Sequence, residues 1–130
     1  MGYVLVNLSH PLTDAQLAEL AGLVGSRPER CVDVQVQFDE ALDFSNQATA
    51  LVDAIAQSGV RLGTDQIVLN PPAHSAIASI VLAMLHGRSG GFPAILRVKR
   101  AAGPLGGWVV AEVVNLQAVR EQARIERGAD

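Results

Sequence analysis

Short apolar runs alternate with helical stretches along the 130 residues of this chain, and this alternation restricts the fold more than any single motif does. Tyr3–Leu8 is an apolar run typical of a buried strand. Thr13 with Gln16 predicts a capping box at the start of the helix that follows, and Gly25 predicts its end. Continued along the chain, the pattern predicts the order β-α-β-α-β-α-β-β-α.

This order indicates one domain over residues 1–130 with an α/β, Rossmann-like fold. Strands that alternate with helices require right-handed crossovers, which build a mostly parallel five-stranded sheet. Helices then cover both faces of that sheet, as in a three-layer sandwich. The Gly/Pro-rich segment Ala101–Gly107 predicts a C-terminal hairpin that adds one antiparallel strand.

Two element boundaries follow from local patterns. Apolar residues alternate with polar ones over residues 32–38, which predicts a second strand through residue 38, near a sheet edge. Residues 75–86 predict the third helix, with Gly87 as its C-terminal cap.

Charge and cysteine content restrict the partners and the compartment. The formal net charge of −3 provides no basic face, so we expect no general DNA or RNA binding. Cys31 is the one cysteine in the sequence, which excludes an intrachain disulfide and favours a reducing, cytoplasmic location. The longest apolar run, Ile77–Leu85, is too short to span a bilayer, so we expect no membrane partner.

Several common site motifs do not occur in the sequence. The loop after the first strand contains no glycine, which excludes the dinucleotide fingerprint, and no P-loop lysine motif is present. One cysteine and three histidines show no metal-ligand spacing. We therefore expect neither a metal nor a cofactor.

Polar residues collect where three of the predicted strands end, and parallel α/β sheets bind ligands beyond the carboxyl ends of their strands. Each of these loops has an Asn at the strand end, whose amide suits a base edge or a sugar hydroxyl. Helix capping explains such Asn residues about as well. The candidate ligand-binding residues in the three loops are Asn7, Ser9, His10, Asn70, His74, Ser75 and Asn115.

Individual roles among the candidates stay open. His10 suits a general acid or base or a phosphate donor, and equally a turn residue before Pro11. Ser75 suits an anion site at a helix start, although an N-cap is the simpler interpretation. Arg88 has the fork that grips phosphate, but it lies at the opposite end of the third helix from the Asn70 loop. It reaches a ligand there only from a second subunit, and otherwise it is a structural or interface residue.

Four segments together resemble one small CRISPR-associated family. They are Val6–Thr13 (VNLSHPLT), Asp33–Asp39 (DVQVQFD), Leu85–Arg88 (LHGR) and Val114–Arg120 (VNLQAVR). In this order, over nearly the whole chain, they are similar to the Csx-fifteen family of type III CRISPR systems.

The resemblance implies a Rossmann-like sensor domain that binds cyclic oligoadenylate across a symmetric homodimer or higher homo-oligomer. By fold analogy the ligand contacts Asn7, Ser9, His10 and the loop of residues 70–75. The expected function is to dampen signalling by sequestering cyclic tetra-adenylate, with or without slow cleavage. One alternative is a metal-independent ring nuclease, in which a ribose 2′-hydroxyl attacks its own phosphorus and His10 or His74 gives acid–base help. The other alternative is a non-catalytic adaptor that uses the domain for protein contact.

Overall fold

Five strands and four helices alternate along residues 2–35 and 37–128, which the computed structural model describes. In chain order they are β1 (Val4–Asn7), α1 (Asp14–Val24), β2 (Arg30–Asp33), α2 (Phe44–Gln57), β3 (Ile67–Asn70), α3 (Ser75–Ser89), β4 (Ala94–Arg100), β5 (Trp108–Asn115) and α4 (Leu116–Arg127). The α/β class and the order of elements confirm the prediction from the sequence.

The strands form one sheet in the order β2-β1-β3-β4-β5. β1 runs parallel to β2 and β3, β4 runs parallel to β3, and β5 returns antiparallel to β4 as the predicted hairpin. In the register of the first three strands, Asn7 pairs with Asp33 on one side and with Asn70 on the other. These strands therefore end together, at what we call the carboxyl edge of the sheet; the opposite end is the amino edge.

The sheet is the middle of three layers, because successive side chains of a strand point to opposite faces. Val4 and Val6 of β1 pack in one core cluster with residues of α2 and α3. Leu5, which lies between them in sequence, packs in a second cluster with Leu20 of α1. One face of the sheet is thus covered by α1 and the other by α2 and α3.

The start and end of α1 agree with the sequence pattern. The Thr13 hydroxyl accepts from Gln16 N at 3.2 Å, and the Gln16 side chain accepts from Thr13 N at 2.9 Å. This reciprocal pair is the predicted capping box. Gly25 ends the helix with φ of 105°, a conformation that glycine adopts at little cost.

β2 ends earlier than the alternating pattern predicted, at Asp33 rather than at residue 38. Val34 N still donates to Asn7 O at 3.0 Å, but β1 ends there and β2 is an edge strand with no second neighbour. Phe38 instead packs on Phe44 of α2, with ring centroids 6.4 Å apart. Val34 and Phe38 thus pack against the core, although no strand pairs with the segment that contains them. Val36 lies outside the described residues.

α3 continues past the predicted C-cap, so the assignment of Gly87 to that role is wrong. Gly87 lies inside the helix, which ends at Ser89, and Gly90 takes the left-handed conformation with φ of 85°. Gly90 N donates to His86 O at 2.8 Å, which satisfies a carbonyl of the last turn. A glycine within a helical segment ends the helix only where its backbone takes the left-handed conformation, as at Gly90.

The hairpin of β4 and β5 extends past the carboxyl edge. β4 pairs with β3 only at Ala94 and Ile95, the partners of Val68 and Leu69. Residues 97–100 therefore run beyond the end of β3, by about 13 Å at roughly 3.3 Å per residue. We call residues 97–111, which include the glycine-rich turn, the β4–β5 arm.

Two side chains of α1 hold the arm in place. Gln16 Nε2 donates to Trp108 O at 3.0 Å, and Glu19 Oε1 accepts from Val110 N at 3.0 Å. Both bonds satisfy backbone groups on the outer edge of β5. The arm is thus fixed at its base.

We expect Leu20→Ala to lower the free energy of unfolding by about 2–5 kcal/mol, because Leu20 is fully buried between α1 and the sheet. Leu23→Ala on the same helix is the matched control, since Leu23 is 51% exposed and should change stability by about 0.5 kcal/mol or less. Chemical denaturation of the two variants measures the difference. Equal losses would contradict the placement of α1 on the sheet.

Candidate functional site

β1 and β3 lie side by side, but the chain leaves them towards opposite faces of the sheet. The segment after β1 leads to α1 on the Leu5 face, and the segment after β3 leads to α3 on the Val6 face. The two loops therefore diverge above the carboxyl edge and leave a crevice between them. This is the topological switch point, where open α/β sheets bind ligands.

The crevice at the switch point has a volume of about 310 Å³. Ser9 and His10 border it on the side of β1, and His74 borders it on the side of β3. Leu8 and Phe38 supply the apolar part of its wall. Ligand pockets measure roughly 300–1,000 Å³, so this crevice lies at the small end of the range. Three of the residues predicted from the sequence thus meet here.

A chain of side-chain hydrogen bonds crosses the carboxyl edge beside the crevice. Asn70 Nδ2 donates to Asn7 Oδ1 at 3.3 Å, and Asn7 Nδ2 donates to Asp33 Oδ1 at 2.6 Å. Asn70 Nδ2 also donates to the backbone oxygen of His10 at 3.1 Å. Asn7 is 2% exposed and Asn70 8%, so the bond between them forms away from water, whereas the bonds to Asp33 and to His10 O are partly buried. We call Asp33, Asn7 and Asn70 the polar row.

The polar row fixes the loop that borders the crevice. Both hydrogens of Asn70 Nδ2 are used, one within the row and one on the carbonyl of His10. A buried amide of this kind orients its neighbours, because a buried donor or acceptor left without a partner costs more free energy than the hydrogen bond itself contributes. Asn7 and Asn70 therefore position the loop after β1. The exposed side chains of Ser9 and His10 on that loop are the ones free to contact a ligand.

Asp33 belongs to the polar row, although the sequence pattern did not indicate it as a candidate residue. It is exposed, and one of its carboxylate oxygens accepts from Asn7. The signal lay in the parallel register, since the last residue of β2 had to lie beside the last residue of β1. The prediction of a longer β2 hid it, because it placed Asp33 inside a strand.

His74 and Ser75 lie at the start of α3. His74 is the N-cap residue and makes no side-chain capping bond, so the assignment of Ser75 as the N-cap is wrong. The His74 ring packs edge-on against Phe44 at 5.2 Å, and its Nε2 lies 3.9 Å from Glu40 Oε1. The first-turn N–H groups of α3 have no side-chain cap, and such groups at a helix start attract anions.

Asn115 lies at the opposite end of the sheet from the crevice. It pairs with Ala94 at the start of β4, because β5 is antiparallel, and it therefore belongs to the amino edge. Its Oδ1 accepts from Ala118 N at 3.0 Å, which makes it the N-cap of α4. The expectation that all three Asn-containing loops share one edge is wrong for Asn115.

Arg88 also lies away from the crevice. Its Nη1 forms an ion pair with Asp53 Oδ1 at 2.8 Å, which joins α3 to α2. Within one chain it is thus a structural residue, one of the two interpretations that the sequence left open.

A larger cavity, of about 750 Å³, lies at the amino edge between the ends of α1 and α3. Helix C-termini carry a partial negative charge, and among the described residues that line this cavity the one charged side chain is Asp65. The start of α4 at Asn115, which also lines the cavity, adds partial positive charge. Two helix C-termini and a carboxylate outweigh this one helix start, so an anionic ligand is disfavoured here in spite of the greater volume. The smaller crevice at the carboxyl edge is the better site for a phosphate-bearing ligand.

Cys31 lies on the edge strand β2 and is exposed. Partial burial raises the pKa of its thiol, and the nearby Asp33 carboxylate raises that pKa further. Thiolate is the nucleophilic form, so the thiol is poorly suited to nucleophilic catalysis at neutral pH.

Three comparisons give no relative from which to transfer a role. No protein-family model, no curated protein and no solved structure matches the chain. Among residues 2–35 and 37–128, no three His, Cys, Asp or Glu side chains are arranged to hold a metal ion. Over the same residues, no helix is long and apolar enough to cross a membrane.

We expect Asn70→Ala to destabilise the protein by about 1–3 kcal/mol, because it leaves the buried Asn7 Oδ1 without its donor. It should also speed amide hydrogen exchange in residues 8–10, since the bond to His10 O is lost. Asn46→Ala, on the exposed surface of α2, is the control. Unchanged exchange in residues 8–10 would contradict the positioning role of the polar row.

Asp33→Asn tests the electrostatics of the same edge. It removes the negative charge that raises the pKa of Cys31, so that pKa should fall. The thiolate fraction at pH 8 and the rate of Cys31 alkylation should then rise relative to wild type. The amide oxygen of the new side chain still accepts from Asn7, so the fold is preserved. An unchanged alkylation rate would show that Asp33 does not influence Cys31.

Proposed function

We propose that this protein binds a cyclic oligoadenylate, cyclic tetra-adenylate in the simplest case, at the carboxyl-edge crevice and across a homodimer. In a type III CRISPR system, such binding sequesters the messenger and dampens signalling. The observation that carries the proposal is the crevice at the β1/β3 switch point, with Ser9, His10 and His74 around it. The choice of ligand rests on the resemblance to the Csx-fifteen family.

The chemistry of the crevice suits a nucleotide phosphate. Imidazole and hydroxyl groups donate hydrogen bonds to phosphate oxygens, and His10 and Ser9 are exposed where they can do so. The uncapped first turn of α3 adds backbone N–H groups and the positive end of the helix dipole. None of this requires a basic protein, which agrees with the net charge of −3.

The size of the crevice supports a dimeric site. A volume of about 310 Å³ is small for a ring of four nucleotides, so one chain would hold only part of such a ligand. A two-fold axis through the ligand presents every side chain twice, and the ring has matching rotational symmetry. Two crevices that face each other therefore suit a whole ring.

Cleavage of the ring is the second candidate, favoured by the position of two histidines on one crevice. A ribose 2′-hydroxyl aligned with its own phosphorus attacks it, and positioning supplies most of the rate gain. His10 and His74 both border the crevice, where one removes a proton and the other donates one to the leaving oxygen. Such help contributes typically about 10²–10⁴-fold. This reaction involves no metal ion and would be insensitive to chelators.

Incubation of the purified protein with labelled cyclic tetra-adenylate tests the proposal. We expect ligand that is retarded with the protein and recovered intact after denaturation. Recovery as linear or 2′,3′-cyclic phosphate products identifies a ring nuclease instead. Ligand that stays free would overturn both and leave the adaptor role.

His10→Ala separates the two nucleotide functions. For a sequestering protein the change weakens binding, whereas for a nuclease with His10 as the acid or base it abolishes turnover and spares affinity. His86→Ala is the matched control, because His86 packs on Phe92 with ring centroids 4.3 Å apart, near the amino edge. An equal effect of the two substitutions would contradict a site at the crevice.

A further inference from the structure

The crevice has no cationic side chain of its own. Among the described residues that line it, none is Lys or Arg. A cyclic tetranucleotide carries one negative charge on each phosphate, and its affinity depends on cations that neutralise them. The cations must therefore come from a neighbouring part of the fold.

The β4–β5 arm holds three of the ten Lys and Arg residues of the chain, at Arg97, Lys99 and Arg100. All three are exposed, and they lie beyond the level at which β3 ends. Several other cations are committed elsewhere, for example Arg61 to Asp65. The arm therefore concentrates positive charge at the carboxyl edge of an acidic protein.

Strand alternation places these cations on both faces of the arm. Ile95 packs in the cluster with α3, so Arg97 and Lys99 point to the α3 side, the side on which the loop after β3 borders the crevice. Arg100 points to the other side, directly opposite Trp108 in the strand register. Arg97 and Lys99 thus lie beyond the end of β3, on the face of the sheet that carries α3.

The three cations differ in how free they are to bind a ligand. Arg97 donates twice to Glu112 Oε2, at 2.9 Å from Nε and 2.6 Å from Nη2. Arg100 lies over the Trp108 ring, 5.4 Å from its centroid. Among the described residues no carboxylate forms an ion pair with Lys99. Lys99 is therefore the cation whose charge is least compensated.

Trp108 lies on the other face of the arm, together with Arg100, whose guanidinium lies over its ring. Neither side chain points to the side on which the loop after β3 borders the crevice. Lys99 is therefore the arm residue best placed to contact a ligand in the crevice.

We infer that the β4–β5 arm is the phosphate-binding element for the ligand proposed above, with Lys99 contacting a phosphate. This inference rests on the proposed function. The simplest rival is that the cations only protect the free edge of β4 from pairing with another strand. Edge protection predicts aggregation when Lys99 is replaced, and it predicts no change in ligand affinity.

Calorimetric titration with cyclic tetra-adenylate tests the inference. We expect Lys99→Ala to weaken binding about tenfold, the effect of losing one charge-assisted contact, and to reduce its dependence on salt. Lys99→Arg should retain most of the affinity. Arg27→Ala removes the same charge at the amino edge, next to the Ser26 carbonyl that Tyr3 binds, and should bind as wild type.

The outcomes separate this inference from the proposed function. Wild-type protein that binds no cyclic oligoadenylate overturns both. Wild-type binding with equal affinity for Lys99→Ala overturns the inference and leaves the proposed function in place. A tenfold loss of affinity for Arg27→Ala as well would show that the affinity depends only on net charge, which would overturn the role of the arm. An unchanged melting temperature of Lys99→Ala shows that the fold is intact.

Discussion

The hydrogen-bond chain from Asn70 through Asn7 to Asp33 crosses three parallel strands at the level where all three end. Two of its members, Asn7 and Asn70, are buried amides, so an unmade bond between them is costly, whereas Asp33 at the end of the chain of bonds is exposed. The second hydrogen of Asn70 Nδ2 extends this chain to the carbonyl of His10. The crevice therefore has one wall whose position is set by the ends of the strands.

The distribution of charge differs between the carboxyl edge and the amino edge of the sheet. Polar but uncharged groups border the crevice, the uncapped start of α3 supplies partial positive charge, and full positive charges lie on the arm beyond the sheet. At the amino edge, two helix C-termini and Asp65 surround a larger cavity, against the one helix start of α4 at Asn115. Volume alone would have favoured the amino edge, whereas the sign of the charge favours the carboxyl edge for a phosphate ligand.

Patterns local in sequence predicted the fold well. The capping box at Thr13, the glycine at position 25 and the hairpin around residues 101–107 each depend on residues close in the chain. Two of the predictions that were wrong depended on distant partners. β2 stops at Asp33 because β1 ends beside it, and Asn115 lies at the amino edge because β5 is antiparallel. Gly87 failed as a cap because the chain turns at Gly90 instead.

Only part of the candidate site was predicted, because some of its residues are identified by contacts between distant parts of the chain. The rule that ligands bind beyond parallel strand ends found Asn7, Ser9, His10 and the loop after β3 without knowledge of any contact. It did not separate residues that position the loop, such as Asn70, from those that line the crevice. Asp33 and the cations of the arm needed the register of the sheet, which pairs residues far apart in sequence.

The central claim is that the ligand occupies the carboxyl-edge crevice and not the larger cavity at the amino edge. Titration of isotope-labelled protein with cyclic tetra-adenylate, followed by amide chemical shifts, tests it most directly. We expect the largest shifts in residues 8–10, in residues 73–77 and on the arm. Shifts concentrated in residues 62–66 and 89–92, at the amino edge, would contradict the claim.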